Sequence, residues 1–136
     1  MVISTGGGVS PDALGDLPGW PVVVPYAHQL ELLRTAVLAV THAGLNTVLD
    51  ALSMGVPMVA VPVTNEQPGI AARVVWTGAG EAIPLRQATS QRLRPLMTRV
   101  LSHPPYRAAA ERARDSIQAG GGAPRAAEII EQNLSL

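Results

Sequence analysis

Residues 40–50 read Val-Thr-His-Ala-Gly-Leu-Asn-Thr-Val-Leu-Asp. His42, Asn46 and Thr47 can each donate a hydrogen bond, and Gly44 between them leaves the backbone bare enough for an anion to approach its amides. If a helix begins at Leu45, its unpaired first N–H groups and the positive end of its dipole serve the same spot. A phosphate suits such a turn, and no lysine is needed. Asp50 lies four residues beyond Asn46, on the same helix face and ~6 Å further along the axis, an offset that suits a sugar hydroxyl beside the phosphate. A histidine alone at a strand end is more often a packed loop residue than a ligand; this one has company.

Residues 62–68 read Pro-Val-Thr-Asn-Glu-Gln-Pro and repeat the passage from a strand into a helix. Glu66 offers a hydroxyl acceptor and Gln67 both a donor and an acceptor, so the pair can read adjacent hydroxyls of a hexose. A capping role for the helix that follows is the competing assignment, and both can hold.

The elements that must position these groups follow from apolar patterning. Short β-branched runs bounded by glycine or proline at residues 2–5, 22–24, 37–41, 58–61 and 81–83 predict strands. Leu45, Val48, Leu49 and Leu52 form one apolar face of a helix over 45–54, stopped by Gly55 and Pro57. Ile70, Ala71, Val74 and Val75 do the same over 67–77, before Gly78. Strands that alternate with helices and read as unbroken apolar runs predict an α/β, Rossmann-like parallel sheet flanked by helices. Its carboxyl edge is where ligands bind, and His42 and Glu66 both fall there. Three helices should follow: one capped by Thr89 or Ser90 and running to 101, one over 106–119 after the Pro104-Pro105 break, and one from Pro124 to about 134.

The 136 residues suit one domain. The ten basic residues, all arginine, balance ten acidic ones, so neither nucleic-acid nor polybasic membrane binding is expected. Without cysteine there are no disulfides, thiolate nucleophiles or cysteine metal sites. The first residues lack a basic and apolar leader, and the longest apolar run, 56–63, is broken by Pro57 and Pro62. The expectation is a cytoplasmic chain without a transmembrane segment. The strand at residue 2 comes with no polar lead-in, as in a fold entered partway through.

Residues 22–84 resemble the donor-binding signature of the family-1, UDP-sugar-dependent glycosyltransferases. The likeness is carried by Tyr26-Ala27-His28-Gln29-Leu30-Glu31-Leu32-Leu33, Thr41-His42-Ala43-Gly44-Leu45-Asn46-Thr47, Asp50, Gly55-Val56-Pro57, Pro62 and Glu66-Gln67. Within the family it runs to the bacterial zeaxanthin (carotenoid) glucosyltransferases, which have similar segments at Gly44-Leu45-Asn46-Thr47 and Gln67-Pro68-Gly69-Ile70-Ala71-Ala72-Arg73. The chain departs from the family pattern in Tyr26 for tryptophan, His28 for proline and Asp50 for glutamate.

The resemblance implies the C-terminal half of a GT-B fold, lacking its first strand and helix, and therefore a single, N-terminally truncated nucleotide-sugar-binding domain. It implies that Tyr26 with Ala27 meets the uracil and Gln29 the ribose. It places the diphosphate at His42, Gly44, Asn46 and Thr47, the ribose hydroxyls at Asp50, and the transferred sugar at Glu66 and Gln67. The implied reaction is an inverting, metal-independent transfer of a hexose, glucose first, to a hydroxyl of a lipophilic acceptor such as a hydroxylated carotenoid. No cofactor is implied, since the UDP-sugar is a co-substrate. The catalytic base, the acceptor pocket and any peripheral membrane contact belong to the absent N-terminal half, so the chain alone is expected to be inactive. The alternative is a non-catalytic nucleotide-sugar-binding module or the donor subunit of a split glycosyltransferase. A UDP-sugar epimerase shares the fold but fits the segment from Tyr26 to Gln67 less well.

Overall fold

The computed structural model describes residues 1–134. Its backbone contacts divide the chain into two compact units, Met1–Leu32 and the remainder from Leu33. In the first unit, β1 (Val2–Ser4) and β2 (Val22–Val24) pair in parallel, with Ile3 opposite Val23. The connection carries Gly6, Gly7, Gly15 and Gly19 at positive φ and a single 3-10 turn at Pro11–Leu14. No residue of this unit is fully buried, so the core lies elsewhere. Helix α1 (Gln29–Leu33) begins in this unit and ends on Leu33, the first residue of the second; five residues are too few to show an apolar period, and the sequence patterning did not predict it.

The second unit holds β3 (Ala39–Thr41), α2 (Leu45–Ser53), β4 (Met58–Ala60), α3 (Gln67–Trp76), β5 (Gly80–Ala82), α4 (Ser90–Ser102), α5 (Pro104–Ala119) and α6 (Gly122–Leu134). Strands β3, β4 and β5 form a parallel sheet in that order. All five predicted strands are present, each three residues long, but hydrogen bonding distributes them between two parallel sheets of two and three. Met58, Val59 and Ala60 are completely buried, as a strand paired on both sides and covered by helices requires. Gly80 opposes Met58 so closely that a β-carbon on it would lie 2.0 Å from the Met58 carbonyl oxygen, and only glycine fits.

Helix α3 packs on β4 and β5, α4 packs on the same two strands, and α5 packs on α2 and α4. The buried side of α2 is Val48 and Ala51 with Leu52 beside them, whereas Leu45 and Leu49 stay about half exposed. The apolar face predicted from leucine is thus rotated toward the small residue: Ala51 joins Val48 in the cluster with Met58, Ala60 and Ala71, while Leu52 packs against Ala109 and Ala110. The same holds on α3, where Ala71 and Val74 are buried and Val75 is not. Helix α5 begins at Pro104 rather than Tyr106: both prolines occupy the first turn, where a missing N–H costs no hydrogen bond. Gly55, at φ 66, ends α2, with its N–H on the Leu52 carbonyl and the Val56 N–H on that of Ala51.

Candidate functional site

In-register pairing of β3 with β4 sets Thr41 opposite Ala60, so both strands end at one edge of the sheet. The chain leaving β3 enters α2 through residues 42–44, and the chain leaving β4 enters α3 through residues 61–66. His42 and the Glu66-Gln67 pair therefore stand on the same edge, each at the approach to a helix N-terminus. This is the arrangement expected from the sequence.

The first of these turns is tightly determined. The Thr41 side chain is buried and its Oγ1 accepts the Ala43 N–H at 3.2 Å. Ala43 is fully buried at φ 65, a left-handed conformation that costs a residue bearing a β-carbon roughly 1–2 kcal/mol. Gly44 then returns to an extended conformation as the N-cap of α2, and no side chain caps the helix. The His42 imidazole lies over Gly44: a β-carbon there would be 2.6 Å from Nε2 and 3.2 Å from Cε1. Gly44 is needed for room, not for its φ of −62, and the space it opens is occupied by the histidine ring. An exposed imidazole and an uncapped helix start share one small region, a combination suited to an anion.

Asn46 is exposed and Thr47 half-buried in the first turn of α2, and Asp50 is half-buried one turn on. In the second turn, Gln67 accepts the N–H groups of Val63 and Thr64 through Oε1, at 2.9 and 3.0 Å. That carbonyl braces the loop, and Asn65 takes φ 55 within it. Glu66 is exposed at the N-cap of α3 and makes no side-chain capping bond. The capping assignment thus applies to Gln67, in a modified form, and not to Glu66.

Tyr26, Ala27 and Gln29 lie in the first unit. Tyr26 is 76% exposed, and its ring meets that of His28 edge-on with centroids 6.0 Å apart. Ala27 is half-buried and Gln29 opens α1.

Two clusters were not anticipated from the sequence. One is the Thr41 bond to Ala43, detectable in principle because a threonine two residues before an amide is a recurrent turn device. The other joins β5 to the last helices: the Tyr106 hydroxyl donates to Glu81 Oε1, which also takes Arg99 at 3.1 Å. Acceptance by the Glu81 carboxylate, together with burial, raises the Tyr106 pKa above its ordinary value of 10.0.

Residues 3–136 match the family model described as the erythromycin biosynthesis protein CIII-like C-terminal domain. The chain belongs to this family. Its fold is that of a GT-B glycosyltransferase C-terminal domain: the calicheamicin glycosyltransferase CalG4 superposes with a TM-score of 0.90 at 30% identity, over 98% of this chain and 35% of that one. The glycosyltransferase VinC, solved with dTDP, superposes with a TM-score of 0.74 at 30% identity, over 79% of this chain and 27% of its own. In sequence, this CIII-like domain is 39% identical to a zeaxanthin glucosyltransferase of Pseudescherichia vulneris over 113 residues, 83% of the chain and 27% of that enzyme. It spans about a quarter to a third of the length of the curated relatives it matches. Among its described residues, no helix is long and apolar enough to cross a membrane.

Proposed function

We propose that this CIII-like domain binds the nucleotide-sugar donor of an inverting glycosyltransferase, with UDP-glucose as the first donor to test and a hydroxyl of a lipophilic acceptor, such as a hydroxylated carotenoid, as the group glycosylated. The observation that carries the reading is the placement of His42 and Glu66-Gln67 at the ends of adjacent in-register strands, next to the N-termini of α2 and α3. The diphosphate goes to the start of α2, where the amides and the His42 ring stand ready. The hexose goes to Glu66 and to the amide group of Gln67. Asp50 takes the ribose hydroxyls.

In the reaction, the acceptor oxygen bonds to the anomeric carbon from the face opposite the leaving diphosphate, and its proton passes to a base outside this chain. The bond to UDP breaks, and negative charge grows on the diphosphate. Preorganised donors at that point are worth more in the transition state than in the ground state, ~3 kcal/mol for a well-placed one. The helix dipole and the imidazole supply this without a metal ion or other cofactor.

The test is a thermal shift. Excess UDP-glucose raises the melting temperature of the chain, and His42→Ala removes most of the rise. An equal rise in both proteins rejects the role of His42, and no rise in the wild-type chain rejects donor binding.

A further inference from the structure

We propose that Thr41 is a positioning residue of the donor site, holding the His42 imidazole over the start of α2. Its bearing on nucleotide affinity rests on the donor-binding reading above; its bearing on the histidine ring does not. Thr41 is the last residue of β3, paired opposite Ala60, and its carbonyl accepts the Val61 N–H at 2.7 Å. Its backbone is therefore fixed by the sheet. Its buried hydroxyl accepts the Ala43 N–H, which locks the residue after His42. Ala43 has its side chain wholly inside the core and its backbone in the left-handed region, so the turn has fixed points on both sides of the histidine. Between them the ring lies over the β-carbon position that Gly44 leaves vacant.

The hydroxyl bond offsets the strain at Ala43. With it removed, the left-handed turn loses its local support and relaxes toward other backbone conformations, carrying the imidazole away from Gly44. Thr41 touches no ligand in this account and acts only through His42.

The experiment compares Thr41→Val, which keeps the shape and β-propensity but loses the acceptor, with Thr41→Ser, which keeps the acceptor. Both are made in the full chain, alone and with His42→Ala. Two quantities are read: nuclear Overhauser contacts between the His42 ring protons and the Gly44 α-protons, and UDP affinity by calorimetry. The expected result is loss of the contacts in Thr41→Val and their retention in Thr41→Ser. UDP should bind the valine variant roughly tenfold more weakly, the lower end of the loss of one hydrogen bond to a charged group, and the serine variant within about twofold of wild type. In the His42→Ala background, Thr41→Val should cost nothing further. Should the valine variant not fold, Thr41→Ala removes the same acceptor. Ring contacts that survive the loss of the hydroxyl overturn the proposal, as does an equal loss of affinity with and without His42. A wild-type chain that does not bind UDP overturns the donor reading instead, and the ring contacts still decide the role of Thr41.

Discussion

The His42 Nε2 lies 2.6 Å from the point that a β-carbon on Gly44 would occupy. The two residues are therefore one structural unit: the histidine can rest on the helix start only because the N-cap has no side chain. Gly44→Ala should expel the ring while leaving α2 formed, since Gly44 already sits at backbone angles open to alanine. Loss of a charge-assisted contact to a diphosphate weakens binding by ~1.5–3 kcal/mol, or roughly 10-fold to 100-fold. Calorimetry with UDP should show a drop in that range, and a drop confined to the His42-containing background. A Gly44→Ala chain that binds UDP as wild type does would separate the two residues functionally.

Gln67 spends its side-chain carbonyl on the Val63 and Thr64 amides, so what it can offer a sugar is its NH2 group. Gln67→Glu retains an acceptor for both amides and loses the donor; Gln67→Leu loses both. The glutamate variant should keep its affinity for UDP but lose most of the added affinity for UDP-glucose over UDP. The leucine variant should also melt earlier, because two backbone N–H groups of the loop lose their acceptor, ~1 kcal/mol each at most in an exposed segment. Paired titrations with UDP and UDP-glucose, alongside melting curves, distinguish the two effects.

Tyr106 donates to Glu81, which Arg99 also holds, and this joins α5 and α4 to β5. The raised phenol pKa means that the folded chain keeps a proton that the unfolded chain releases from about pH 10 upward. The contribution to stability is complete below the unfolded pKa and is lost as pH rises through the folded one. Tyr106→Phe should destabilise the chain by about 1 kcal/mol near pH 8, a reduced value for a partly exposed bond to a carboxylate. Above pH 10 the difference between variant and wild type should shrink. Urea denaturation at a series of pH values measures both, and a gap that widens in alkali would reverse the sign of the linkage.

How much of this was legible in the sequence depends on what each residue's position rests on. The span of α2 was readable because Gly44, Gly55 and Pro57 punctuate an apolar period of the right length. So was the shared sheet edge, since two strand-to-helix passages in one parallel sheet end on the same side. The rotation of α2 was not: leucine outweighs alanine in any hydrophobic count, whereas Ala51 is buried in the cluster that holds Met58, Ala60 and Ala71, and Leu45 and Leu49 stay half exposed. The Tyr106 bond to Glu81 spans 25 residues and leaves no periodic trace. The brace by Gln67 was half visible, as a capping alternative assigned to the pair and realised by one member only.

Asp50 supplies a test of nucleotide choice. It stands one turn along α2 from Asn46, and the donor reading gives it the ribose hydroxyls. UDP has a hydroxyl at both the 2′ and 3′ positions, whereas dTDP, the nucleotide found in VinC, lacks the 2′ group. A carboxylate that accepts from both hydroxyls gains one more charged hydrogen bond from UDP than from dTDP, ~1.5 kcal/mol or about tenfold in affinity. Asp50→Asn should therefore weaken UDP more than dTDP and bring the two affinities toward each other. Competition calorimetry with both nucleotides on both proteins measures the change in ratio directly. An equal loss for the two would place Asp50 away from the 2′ hydroxyl.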